Sequence, residues 1–207
     1  MNEPNVIAPE NYLTLLDWRR RIADIYGEVR ARLRRDPIGV HTYWRDRRND
    51  LFRTHPQSPL HVDVRAGFPG LRCFEYDARF AFTAKIRPLP EKCFAVDTST
   101  GGKIPFVRFG VVDLPVGTLE VMWLDTYGGG VFLPFRDATS GRTTYGGGRY
   151  LLDTAKGADL GVRSDELVLD FNFAYHPSCV HDSTWTCPLA PLENRLAAPI
   201  DAGERMP

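Results

Sequence analysis

Between Asn11 and Asp36 the apolar residues Leu15, Trp18, Ile22, Ile25, Val29 and Leu33 recur at steps of three or four. That period lines one face of a helix, and the spacing predicts a long amphipathic α-helix. Asn11 is the expected cap and Asp36-Pro37 the expected stop, because proline disfavours helical geometry in the residue before it. Asp17 with Arg21, and Glu28 with Arg32, stand four apart in the favourable order on the outer face. A second, shorter helix is expected over Val40 to Phe52, with Tyr43, Trp44, Leu51 and Phe52 turned inward and its end marked by His55-Pro56 and Ser58-Pro59. His41 and His55 read as surface or packing residues, since neither has a partner at ligand spacing.

After Pro59 the texture changes. Gly and Pro punctuate at short intervals, and the segments between them are rich in Val, Phe, Tyr, Thr and Ile. Strands are expected over Leu71 to Tyr76, Phe80 to Ile86, Cys93 to Asp97, Ile104 to Phe109, Leu119 to Leu124, Val131 to Pro134, Arg149 to Asp153 and Leu167 to Phe171. Thr100-Gly101-Gly102 and Pro115-Val116-Gly117 read as hairpin turns. The links leave no room for crossover helices, so antiparallel pairing follows. The expected fold is mainly β within an α+β class: an antiparallel β-sandwich or partly open barrel carrying an N-terminal helical layer. One domain is expected, with residues 1–10 a flexible arm, 11–55 the helical layer and 60–207 a β-rich body ending in a Cys/Pro-rich loop.

Charge and composition narrow the partners. The 26 basic and 26 acidic residues balance, so nucleic acid is a poor expectation. The arginines along the first helix read as a solvated face with interleaved acids. Without an apolar run near the ~20 residues of a membrane span, and without a basic-then-apolar leader, a cytoplasmic protein with no membrane association is expected. Four cysteines then read as free thiols or ligands rather than a disulfide framework. Cys73 and Cys93 fall within expected strands and read as small hydrophobic filler.

Candidate chemistry concentrates between Phe132 and Leu196, where charged and thiol side chains, two Tyr-Gly-Gly-Gly turns and several aromatics coincide. Such a mixture suits a pocket of apolar walls with a few placed polar groups. The triplets Gly128-Gly129-Gly130 and Gly146-Gly147-Gly148 serve either as lips of one cleft or as tight turns between strands. Neither has the pattern of a nucleotide loop. Arg136 and Arg149 are the candidate anion anchors, with Tyr145, Asn172 and Tyr175 completing a binding set. Asp137, Asp170 and Tyr175 are the candidates for proton transfer. The plainer reading has the same arginines and aspartates paired with one another across two loops. Cys179 and Cys187 are expected close together across the final loop, packed or bonded, with Asn172 and Asn194 satisfying its backbone. His176, Cys179, His181 and Cys187 together would supply four zinc ligands, but at the spacing of no recognised finger. No cofactor is expected.

The residues Pro134-Phe135-Arg136-Asp137, Thr144-Tyr145-Gly146-Gly147-Gly148-Arg149-Tyr150-Leu151, Asp170-Phe171-Asn172, Cys187-Pro188-Leu189 and Ala202-Gly203-Glu204 resemble the uncharacterised bacterial and archaeal DUF1684 family. The resemblance covers most of the chain beyond the first ten residues. Two positions depart from the family pattern: His176, where Asn is usual, and His181, where an aromatic is usual. A zinc site common to the family therefore does not rest on them. The resemblance implies no activity. The expected function is binding of a small anionic molecule, with or without catalysis, in a pocket between the Gly-rich turns and the Cys-Pro loop. The alternative is a non-enzymatic domain in which that loop is a structural clasp.

Overall fold

The computed structural model describes residues 9–206, so most of the expected N-terminal arm lies outside the described residues. Helix α1 (Pro9–Arg32) begins two residues before the expected Asn11. It stops short of Asp36 because that residue belongs to the next element: Asp36 caps α2 (Pro37–Thr54), its carboxylate accepting the Gly39 N–H at 3.0 Å, and Pro37 occupies the first turn. Proline there forfeits an N–H that the helix leaves unpaired anyway. Ile22, Ile25, Val29 and Leu33 are buried as their period requires, together with Tyr26, while Leu15 near the free end is exposed. Asp17 and Arg21, and Glu28 and Arg32, form their i,i+4 pairs. His41 and His55 are both buried, the latter against Asp17. A single short turn, α3 (Val62–Arg65), leads into the body.

The body has two antiparallel sheets. A five-stranded meander runs β2 (Arg87–Asp97), β3 (Lys103–Leu114), β4 (Gly117–Leu124), β5 (Val131–Phe135) and β6 (Arg149–Asp153). The smaller sheet has the order β1 (Ala81–Ala84), β8 (Glu166–Asp170), β7 (Val162–Arg163). Edges β2 and β6 remain apart, so the arrangement is an α+β sandwich and not a closed barrel. Both expected hairpins form, the second around Pro115-Val116 with Gly117 at φ 129°.

Two expectations fail. Leu71 to Tyr76 is no strand of either sheet. It lies extended against the C-terminal segment, where Phe74 N–H donates to Gly203 O and Arg205 N–H to Arg72 O, both at 2.9 Å. Cys93 is not filler, because β2 turns it outward into solvent.

The meander has two unlike faces. Leu119, Val121, Leu133, Phe135 and Leu151 join the main core with α1, α2 and the smaller sheet. Successive strand residues point to opposite sides, so Met122, Phe132 and Tyr150 face the other way and gather Phe106 and Val96 into a second cluster. A register shift between Arg108 and Gly110 lets β3 serve both clusters, with Phe106 in one and Val112 in the other. Over the second face lie the 3-10 turn Thr154–Lys156 and the loop carrying Cys179 and Cys187.

Candidate functional site

Arg149 opens β6 and is 1% exposed. One guanidinium nitrogen donates to the carbonyls of Ala202 and Glu204, the other to Ile200 O at 2.8 Å and to Asp137 Oδ1 at 3.4 Å. Asp137 Oδ2 accepts the Ile200 N–H at 2.7 Å and the Thr139 N–H and hydroxyl at 3.2 and 2.8 Å. The pair binds the C-terminal segment to the sheet, and its polar atoms face protein rather than an opening.

Asp170 and Asn172 form a second clasp. Asn172 donates to Asp77 O at 2.9 Å and accepts its N–H at 2.9 Å, closing a backbone-like pair with a distant loop. Asp170 holds Asn172 and the Tyr76 hydroxyl, and burial raises its carboxyl pKa. Asn194 does the same for β4 and β5, pairing with both backbone groups of Glu120 and with Pro134 O. The two asparagines thus satisfy backbone as expected, but that of the sheets and the Asp77 loop rather than of the cysteine loop.

A third polar group centres on residues that the sequence reading passed over. Arg48, on the inner face of α2, donates to Glu204 Oε1 at 2.6 Å with both side chains buried. Its guanidinium stacks 5.0 Å from the Trp44 ring and 4.9 Å from the Tyr175 ring. Glu204 Oε2 accepts the His176 N–H at 2.8 Å, and His176 Nε2 accepts the Tyr145 N–H at 3.2 Å. Burial would raise the Glu204 carboxyl, but Arg48 and His176 hold it below its usual range. Burial depresses the His176 imidazole to about 4, so it is neutral at pH 7. The Tyr26 hydroxyl and Arg48 Nε, both buried, have no hydrogen-bond partner, and both residues line a small cavity of about 60 Å³ with Tyr175 and Lys156. Arg48 lies four residues after Trp44 and three before Leu51, so its spacing alone placed it on the apolar face.

On the other side of Tyr150 a larger hollow of about 190 Å³ opens over the second core. Ile104, Phe106, Leu124 and Phe132 form its floor, Gly130 and Ala155 one wall, and Thr186 and Pro188 of the cysteine loop the other. Gly130, at φ 155°, lies against the Ala155 backbone, where a side chain would collide. Lys156 is the cation on the rim, its Nζ 3.8 Å from Asp153 Oδ2. Asp153 is buried, which raises its carboxyl pKa against the opposing pull of Lys156, and the Tyr175 hydroxyl lies 3.4 Å away. Only the first Gly triplet borders this hollow. The second lies under the cysteine loop, with Gly147 O accepting the Ala190 N–H and Gly148 close against Arg136.

Of the remaining sequence candidates, Arg136 and Tyr145 are half-buried beside this second triplet. Arg136 makes no side-chain ion pair among the described residues, and its buried Nε lacks a partner. The Tyr145 hydroxyl lies 3.8 Å from Cys179 Sγ. Cys179 and Cys187 lie close together, as expected, and of the two arrangements foreseen they are packed rather than bonded, with both thiols free. The zinc constellation does not assemble. His176 is engaged with Tyr145 and Glu204, and His181 sits edge-on to Phe52. Among the described residues no three His, Cys, Asp or Glu side chains form a metal-holding group. No helix among them is long and apolar enough to cross a membrane.

Comparison with known proteins gives relatives but no activity. No curated protein matches the chain. A solution NMR structure of an uncharacterized protein from gene locus rrnAC0354 of Haloarcula marismortui is similar at 30% identity and a TM-score of 0.55, covering 79% of this chain and 91% of that one. The family model described as "Protein of unknown function (DUF1684)" matches residues 66–205, which hold both buried clasps, the hollow and the thiol pair, and the chain belongs to that family.

Proposed function

We propose that this protein binds a small anionic organic molecule whose apolar body fills the hollow over Phe106 and Phe132 and whose charge meets Lys156. The observation that carries the reading is Lys156 on the rim of a hollow whose lining is apolar except for Asp153, its ion-pair partner, and Thr186. Apolar walls with one or two placed polar groups are the usual composition of such sites. At about 190 Å³ the space is below the ~300–1,000 Å³ of drug-sized sites, which favours a short-chain or single-ring acid. Tyr175 and Asp153 stand behind Lys156 as the groups available to orient it. Arg149, Asp137, Asp170 and Asn172 have a scaffold role in this reading, since their carboxylates, amide and the two terminal guanidinium nitrogens are already bonded to protein.

The test is a thermal-shift series of carboxylic acids graded in size, each paired with its uncharged amide. A ligand at 100 times its Kd stabilises by about 2.7 kcal/mol, which for a domain of this size raises Tm by roughly 5–10 °C. We expect such a rise for at least one acid, a smaller one for its amide, and loss of the difference in Lys156→Ala. If no acid raises Tm, or if Lys156→Ala responds as the wild type does, the alternative of a scaffold domain without a ligand replaces this reading.

A further inference from the structure

The four thiols occupy unlike surroundings. Cys73 bridges to the C-terminal segment beside Glu204, and burial pushes its thiol up to about 12. Cys93 is exposed on β2 with no structure built around it. Cys179 sits half-buried in the 3-10 turn Ser178–Val180, while Cys187 is buried beneath it. Ser99 pins the lower cysteine at two points and its loop at a third: its N–H donates to Cys187 O at 2.9 Å, its hydroxyl accepts the Cys187 N–H at 3.0 Å, and that hydroxyl donates to Trp185 O at 2.8 Å. The upper sulfur is bordered by the Cys187 thiol, the Ser99 hydroxyl and the Tyr145 hydroxyl.

We propose that Cys179 and Cys187 form a dithiol site that takes a hydroperoxide as its substrate, independently of what occupies the hollow. The half-exposed Cys179 thiolate attacks the nearer peroxide oxygen, the O–O bond breaks, and the departing oxygen takes up a proton to leave as water or an alcohol. The resulting sulfenic acid on Cys179 is then attacked by the sulfur of Cys187. The S–O bond breaks, its hydroxyl leaves as water with the Cys187 proton, and one disulfide remains. Overall two thiols lose two electrons and two protons to one peroxide.

The division of labour follows from exposure and hydrogen bonding. Cys179 is the more open residue of the pair, and the Cys187 thiol, followed by the Ser99 and Tyr145 hydroxyls, stabilises its anion against the opposing effect of burial, to about 6. The same contact, with burial, raises Cys187, so the inner thiol keeps its proton until the second step. Reactive thiols are those with a depressed pKa and an open face, and Cys179 combines the two.

Purified, reduced protein is treated with one equivalent of hydrogen peroxide, and its thiols are mapped by alkylation and peptide mass spectrometry. The expected result is loss of two thiols and a cross-linked Cys179–Cys187 peptide, with Cys93 still alkylated. In Cys187→Ser, dimedone is expected to label Cys179. At pH 6 Cys179 should react about tenfold faster than free cysteine, and its rate should rise with a midpoint near pH 6. Tyr145→Phe is expected to move that midpoint upward. Oxidation of Cys93 ahead of Cys179, or peroxide consumption without the cross-linked peptide in the wild type, overturns the proposal. The wild-type mapping decides even if a variant fails to fold.

Discussion

The surroundings of Arg149 and of Lys156 lie at opposite ends of β6 and treat a positive charge in opposite ways. At Arg149 three backbone carbonyls and one carboxylate take up both terminal guanidinium nitrogens, and burial leaves no space beside them for a ligand. At Lys156 the side chain is 55% exposed, with a distant carboxylate on one side and an apolar hollow on the other. A dense cluster of charged residues in a sequence therefore marks a junction at least as readily as a site. What distinguishes the two is whether the chain has left space beside the charge.

The contrast can be broken most sharply at the closed end. Arg149→Met leaves Asp137 buried without its cation and frees three carbonyls, and breaking a buried pair this way costs about 3–5 kcal/mol. Urea unfolding should show that loss, with a fall in Tm of roughly 10 °C. A retained midpoint would mean that the clasp does not hold the C-terminal segment.

A smaller effect separates the polar group around Glu204 from both. His176 has a folded pKa of about 4, below its ordinary 6.5. The unfolded chain therefore binds the extra proton between those values, so stability falls as pH drops from about 6.5 towards 4. The integrated loss from this residue is roughly 3 kcal/mol, and His41 and His181, also depressed by burial, act in the same direction. His176→Asn should retain an acceptor for the Tyr145 N–H and flatten that part of the pH profile. An unchanged slope in chemical denaturation across this range would assign the acid sensitivity elsewhere.

The least effect on stability is expected at the open end. Lys156→Ala removes the exposed partner of a long ion pair, 3.8 Å from buried Asp153, worth about 0–1 kcal/mol, so Tm without ligand should move by no more than about 4 °C. The same substitution should abolish the preference for charged ligands. A large loss of stability would show that Lys156 is a structural residue like Arg149, and the comparison would collapse.

Much of the scaffold was legible because its signals are local. The three-and-four period named the buried face of α1, alternation and turn residues named β3 to β6, and Asp36-Pro37 marked a helix boundary that turned out to serve two helices. The Cys179–Cys187 encounter was also legible, since few residues separate them. Arg48 was readable in principle from its spacing to Trp44 and Leu51, but beside Arg45 and Arg47 on the same helix nothing in its residue type sets it apart from a solvated charge. The hollow was not legible at all. Its floor comes from β3, β4 and β5, its rim from the turn after β6 and its far wall from the cysteine loop, and no single stretch carries the pattern. The same limit hid the partner of Leu71 to Tyr76, which lies about 130 residues away in the C-terminal segment.

That C-terminal segment has a consequence for synthesis in the cell. Ile200, Ala202 and Glu204 supply the carbonyls around Arg149, and Glu204 supplies the carboxylate for Arg48, so Arg48 lacks its counter-charge, and Arg149 every guanidinium partner but Asp137, until this stretch has left the ribosome. Helices and hairpins are free to form earlier, but the body closes only afterwards, and its biogenesis is completed after translation of this stretch rather than during it.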